Sequence, residues 1–474
     1  MAKRNLAEAD TVASLGNSDS LLSEVGGSVR RLPLDRLMEQ VADNFLDRVV
    51  IGHSEEECAY GVRFDTSVST PSCTRILNMN LHRQCPIQSR MRGCLLDDDG
   101  NVTRYLDAMD WTGETRDGSK GQVMVEIPEH YRRFVSEGSV REVRLSEYPL
   151  PGYHKVPRCY VSAYQASVQR STTTLCSVAN DSVDFRGGGN QTAYDGTGKT
   201  LLGRPATSIS RTNFRAYARK RKPSTSEWNC MTYDIQKTLY WLFVVEYATL
   251  NSQATYNAQP TAEGFKQGGL GAGATTLDGG KWNDFNGSNP FVPCGHTDSL
   301  GNRTGVVQYT MPAEYDTTAM VVEVPRYHGV ENPFGHIWQW TDGINVRISP
   351  DAPAGDGLSR VFVCHEPSRF SDTGYDGYHP VGYEARDGGY VKEVIFGEEG
   401  DILPSVCSGA GSTTYFCDYH YTNIPDTEAL RGLLFGGAAS NGAACGFAYA
   451  FSVNAPSSAS AYLGSRLCFL PGNA

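Results

Sequence analysis

The chain predicts an α+β fold, and three observations carry that reading. Short runs in which apolar and polar residues alternate read as strands, and two longer stretches between residues 212 and 253 read as helices. Fifty glycines, 23 prolines and 25 tyrosines among 474 residues imply many turns and broad loops rather than long helical bundles. At 40% hydrophobic and 10% aromatic, the chain can fill sizeable cores, and its length suits two or three domains.

Residues 1–50 are polar except for LDRLMEQVADNFLDRV (34–49). There Leu34, Leu37, Met38, Val41, Phe45, Leu46 and Val49 recur every three to four residues, the spacing of a helix with one buried stripe. Such a helix either packs on its own domain or serves attachment or oligomerisation. Residues 51–147 read as a β-rich domain, with YGVRF (60–64), GQVMVEI (121–127) and VREVRLS (140–146) as strands and LLDDDGNV (95–102) as a hairpin. Residues 148–474 form the third segment. TNFRAYARKRK (212–222) and WNCMTYDIQKTLYWLFVVEYATLNSQ (228–253) are its helices; the second sets Leu239, Leu242, Phe243, Glu246 and Tyr247 on one face, too aromatic for solvent. The Gly/Asn/Asp-rich stretch 257–310 has no period and is expected as an ordered loop. Stretches 318–327, 336–348, 359–365 and 390–397 read as strands.

A net charge of -11 argues against a nucleic-acid surface, because phosphate binding draws on Lys and Arg. The one basic cluster, RAYARKRK (215–222), is expected to be a solvated helix terminus, where cations favour the helix dipole. Thirteen cysteines, odd in number and without a CxxC pair, read as reduced, mostly buried thiols. The start, MAKRNLAEADTVASLGNSD, shows no secretory signal, and no membrane insertion is expected.

From 432 to 465 there is no Asp, Glu, Lys, Arg or His, yet the stretch is too rich in Gly, Ser, Asn and Pro to span a membrane. Nine Ala and five Ser between 438 and 462 alternate with apparent structural fixtures, as if a rigid backbone carried exchangeable side chains. VNAPSSASAYLGSRL (453–467), read with NPFGHIWQWTDGIN (332–345) and PGYHKVPRCYVSAYQASV (151–168), resembles the C-type-lectin-like fold of formylglycine-generating enzymes and of the variable proteins of diversity-generating retroelements. PIQSRMRGCLLDDDG (86–100), DWTGETRDGS (110–119), EYPLPGYHKVP (147–157) and FCDYHYTNIP (416–425) are similar to tail-fibre proteins of Bacteroides phages that carry such retroelements.

The resemblance implies adhesion without turnover. Its variable positions, carried over one by one within a variable region of about 431–470, are Ala438, Ser440, Asn441, Ala444, Phe451, Val453, Asn454, Ser458, Ser460 and Tyr462. Its scaffold positions are Gly436, Gly437, Gly442, Gly446, Phe447, Ala455, Pro456, Gly464, Ser465 and Arg466, with Trp338 and Trp340 as a floor beneath the variable face. The implied partners are a host cell-surface protein or glycan and other tail proteins, in a homo-oligomer, trimeric as fibres usually are. The implied location is the virion, after synthesis in the host cytoplasm; a bacterial surface adhesin is the alternative.

Catalysis of the formylglycine type needs a cysteine pair five residues apart, and those positions hold Ala443 and Ala448. CGHTD (294–298) and CDYHY (417–421) bring Cys, His and acid together, which reads first as buried, hydrogen-bonded groups. Asp342 with Asn345, and Glu398, Glu399 and Asp401, offer oxygens that a calcium could use, but no acid/amide pair of the sugar-reading type accompanies them. GGGNQTAYDGTGKT (187–200) lacks phosphate-loop spacing, and no GxSxG occurs. No cofactor or metal is expected.

Overall fold

A fifteen-residue helix, Tyr233–Tyr247, runs through the centre of the protein with fourteen of its residues buried. Thr232 caps its start, its side chain accepting from the Ile235 amide, and Ala248 ends it at φ +52. The expected single buried face is therefore a helix enclosed on all sides, which suits its run of Leu, Trp, Phe, Val and Tyr. Its two buried charges are paired: Lys237 Nζ lies 3.3 Å from Asp401 and Glu246 lies 2.9 Å from His328 Nε2. The predicted start at 228 is too early, because Trp228–Cys230 forms a buried strand paired with Leu467–Phe469.

The computed structural model describes residues 54–312 and 320–472, with the backbone of 20–25 and 28–33. The helix expected over 34–49 lies outside the described residues. The chain divides into Met1–Cys58 and Ala59–Ala474. In the first unit Ser20–Val25 pairs antiparallel with Ser28–Pro33, a hairpin the sequence does not suggest, and Glu55–Cys58 makes one helical turn.

Within the second unit the expected strands stand at Ala59–Asp65, Gln122–Ile127 and Val140–Ser146, and the 95–102 turn joins Arg92–Leu96 to Val102–Tyr105. One further strand has no clear sequence signal. His130–Glu137 turns His130, Arg132 and Phe134 inward, so its buried face does not read as apolar. The division expected near 147 has no counterpart in the packing. One six-stranded sheet runs in the order 228–230, 467–469, 159–162, 122–127, 92–96, 102–105, interleaving strands from both sides of that point, and one core extends from Tyr60 to Phe469.

The fold class is α+β, with about 14% helix and 33% strand. The sheet that matters for function centres on Trp338–Ile348. It pairs antiparallel with Ala429–Gly436, which pairs with Gly446–Phe451, which lies parallel to Tyr419–Tyr421. Leu463–Gly464 returns parallel to Trp338 and Gln339. The loop expected at 257–310 also holds a helix, Gly279–Asn286, capped by Asp278 and ended by Gly287 at φ +68. Its glycine and asparagine content hides it; buried Trp282 and Phe285 hold it down.

The basic run after 211 is not a solvated terminus. Arg215 is buried, donating to Asp342 Oδ2 at 2.7 Å and pairing with Asp372, while Arg221 meets Asp98 at 2.6 Å and Lys222 meets Glu227 at 2.6 Å. Arg215 and Arg221 are thus drawn into the fold, and Lys222 is held by Glu227, while Lys220 is exposed.

Candidate ligand-binding site

Tyr449 and Phe451 stand two residues apart in GFAYAF (446–451) and share a face of their strand, whereas a register shift at the strand's start turns Phe447 toward the core helix. Both meet Trp338 on the central strand, with ring centroids 4.5 Å and 5.1 Å away and ring planes at 63° and 55°. Tyr421, on the adjoining strand, stacks on Phe451 at 5.3 Å. These rings border a hollow of about 370 Å³. The 438–441 turn closes one side and the Gly279–Asn286 helix another, through Gly279 and Trp282.

Five predicted variable residues, separated by up to 24 positions in sequence, converge on this hollow: Ala438, Ser440, Asn441, Phe451 and Tyr462. Ser440 is exposed, Tyr462 is 39% exposed, and Asn441 and Phe451 are half-buried. Ala444, Val453, Asn454, Ser458 and Ser460 are half-buried outside it, with much of their backbone tied down: Asn454 O accepts from the Gly432 amide and Ser460 O from the Ser208 amide. Ala438 departs from its expected role. It is 3% exposed, its amide donates to Asn441 Oδ1 at 2.8 Å and its carbonyl accepts from the Cys445 thiol, so it meets the hollow with little of its surface and its backbone is held on both sides.

The predicted scaffold residues lie beneath. Trp338 is buried and lines the hollow from below, while Trp340 is deeper, fully buried against Gly432. Gly437 sits at φ +80, with Cys445 Sγ where a side chain would begin, and a Cβ on Gly446 would strike the Asp418 carboxylate. Gly436 is likewise at positive φ, and Gly464 packs against Ile337. Phe447 faces the core helix through Phe243, and Pro456 O accepts from the Arg211 amide. Arg466 is fully buried and makes no ion pair among the described residues. Its Nε donates to Gln339 Oε1 at 2.7 Å and its terminal nitrogens to the carbonyls of Ser162, Glu331 and Asn332, tying the end of the variable segment to three distant strands and turns. Burial pulls its pKa down to about 10.

Tyr421, Tyr449 and Trp282 are site residues that sequence reasoning misses. CDYHY stands out for its Cys, Asp and His, yet those are structural: His420 is buried between the carbonyls of Ala385 and Ala450, its pKa pulled to about 4, and Asp418 accepts from the Ala448 amide, its carboxyl pushed well up by burial. The alternation of aromatics in GFAYAF is the available signal for Tyr449.

The other constellations are occupied internally. Asp298 of CGHTD receives Arg116, Arg326 and the Tyr164 hydroxyl; Asp342 and Asn345 receive Arg215 and Arg211; Glu399 holds His154 at 2.7 Å. Among the described residues no three of His, Cys, Asp and Glu converge to hold a metal, and no helix is long and apolar enough to cross a membrane. Ala443 and Ala448 lie apart in character, one exposed and one in the core, and burial pushes the thiol of Cys445 far above its ordinary pKa, with Asp418 adding to it.

No protein-family model matches the chain, and no curated protein is similar to it. The functional reading is therefore drawn from the geometry of the chain's own residues.

Proposed function

We propose that this chain is a receptor-binding protein of a phage tail fibre, whose C-terminal lectin-like region recognises a ligand on the host surface through a face diversified by a retroelement. One observation carries the reading: Ser440, Asn441, Phe451 and Tyr462, positions chosen from the sequence mosaic, meet around one hollow over a buried Trp338 floor. Residues that can change cheaply stand where a ligand can reach them, and residues that cannot change hold the backbone still. The ligand is a cell-surface protein or glycan, and binding is adhesion. Several copies per virion, in a trimeric fibre joined to other tail proteins, would multiply a weak single contact, because each later contact becomes intramolecular.

The test replaces Ser440, Asn441, Phe451 and Tyr462 together with Tyr, Ser, Ala and Asp. Binding of the purified protein to its host cells falls at least tenfold while circular dichroism and thermal midpoint are retained. Binding that survives this change would remove the face from the reading. A bacterial surface adhesin built on the same face predicts the same result; a reverse-transcriptase gene beside a template copy, within a phage genome, separates the two.

A further inference from the structure

The hollow on the variable face has a chemistry of its own, and assigning it a ligand rests on reading that face as the binding surface. Six aromatic side chains border it: Trp282, Trp338, Tyr421, Tyr449, Phe451 and Tyr462. No Asp, Glu, Lys or Arg lines it. The rings form a corner rather than a platform, since Trp338 meets Tyr449 at 63° and Phe451 at 55°. The indoles and Tyr449 are buried, so their positions are fixed, while Tyr421 and Tyr462 are 48% and 39% exposed and reach the opening.

A ring face is the negative pole of the aromatic quadrupole, so rings set at angles around a hollow favour a cation placed among them. An anion would find no cation there, only neutral hydroxyl and amide donors, and would lose most of its hydration. A primary ammonium would need acceptors for three N–H groups and would find no carboxylate. A quaternary ammonium has no N–H to satisfy and presents methyl groups on every side. The net charge of -11 draws cations toward the protein as a whole. We propose that the hollow on the variable face binds a quaternary ammonium group by cation–π contact with its aromatic walls.

Choline and its uncharged carbon isostere, 3,3-dimethylbutan-1-ol, are titrated into the full chain while tryptophan fluorescence and saturation-transfer NMR are followed, with phosphocholine and trimethyl-lysine showing which carrier of the group fits best. Choline binds at least ten times more tightly than the isostere, and Phe451→Ala with Tyr462→Ala weakens it at least tenfold with the circular dichroism unchanged. Equal affinity for the two, preference for neutral methyl glycosides, no binding of choline, or an unaltered affinity in the double variant would overturn the inference. Host-cell adhesion of the double variant is read alongside. If adhesion falls while choline does not bind, the receptor reading stands and the cation inference fails; if choline binds but adhesion ignores the hollow, the receptor reading fails instead.

Discussion

Phe447 and Phe451 stand four residues apart on one strand and live under opposite constraints. Phe447 is 1% exposed and packs on Phe243, Phe334 and Tyr327, between the core helix and the central sheet. Phe451 is half-buried and sets its ring against the aromatic border of the hollow, on Trp338 and Tyr421. The two belong to a frame and a rim, and the difference lies in what a change at each would displace. A frame residue is surrounded by atoms that cannot move; a rim residue has water on one side.

Arg466 offers the hardest test of the frame. Arg466→Ala leaves three buried carbonyls and Gln339 without a donor and opens a void, at an expected cost of about 4 kcal/mol in chemical denaturation. Gly446→Ala drives a methyl into the Asp418 carboxylate, and about 3 kcal/mol of lost stability is expected in the same measurement. A loss under about 1 kcal/mol at either position would mean that the frame yields.

Acidity probes a point just behind the rim. Glu384 is buried, its Oε1 accepting from the hydroxyls of Ser452 and Thr422, and burial pushes its pKa up to about 8. The folded protein thus holds a proton that the unfolded chain releases near pH 4.5, and stability falls as pH rises between those values. Buried His82, His130, His336 and His420, pulled to about 4, 4, 3 and 4, act in the opposite sense, but only below about pH 6.5, where the unfolded imidazoles become charged. Between pH 6.5 and 8 Glu384 should therefore contribute a loss of about 1 to 2 kcal/mol, on top of a smaller loss from buried Glu331, whose pKa burial raises to about 7, and Glu384→Gln should lose clearly less than wild type. Equal slopes in urea titrations of the two proteins would place the proton elsewhere.

The smallest effects belong to the rim. Ser440→Tyr and Tyr462→Ala should each shift stability by less than about 0.5 kcal/mol, read as a thermal midpoint unchanged within a few degrees. Ala438→Tyr should cost more, about 1 to 2 kcal/mol, because Ala438 is 3% exposed and packs in the core, leaving the new ring only the hollow to enter.

The rim is largely legible in the sequence, because its signal is local: a charge-free segment with Ala and Ser between fixed Gly and Pro. That pattern marks the segment, and the resemblance to the retroelement variable proteins supplies Ser440, Phe451 and Tyr462 as surface positions and Trp338 as the floor. What stays hidden depends on distant partners. Ala438 has the same small side chain as the exposed alanines, and its burial goes with the turn in which Asn441 and the Cys445 thiol bond its backbone. Arg215 sits in a run of cations that reads as solvent-facing until Asp342 and Asp372 arrive from more than a hundred residues away. Trp282 lies in a Gly/Asn stretch with no period, and Tyr421 is overshadowed by neighbours of more obvious chemistry. The boundary expected near 147 marks a change in composition, whereas the strand order joins both sides.

The strand Leu467–Phe469 fits between Trp228–Cys230 and Cys159–Ser162, and Ala429–Gly436 between Trp338–Ile348 and Gly446–Phe451. The changeable stretch is thus moored at each end to an inner strand whose side chains alternate between two packed faces. Adding or removing a residue within either strand would push it out of register and turn its core face outward. Only the loops between these two moorings have room for a change of length.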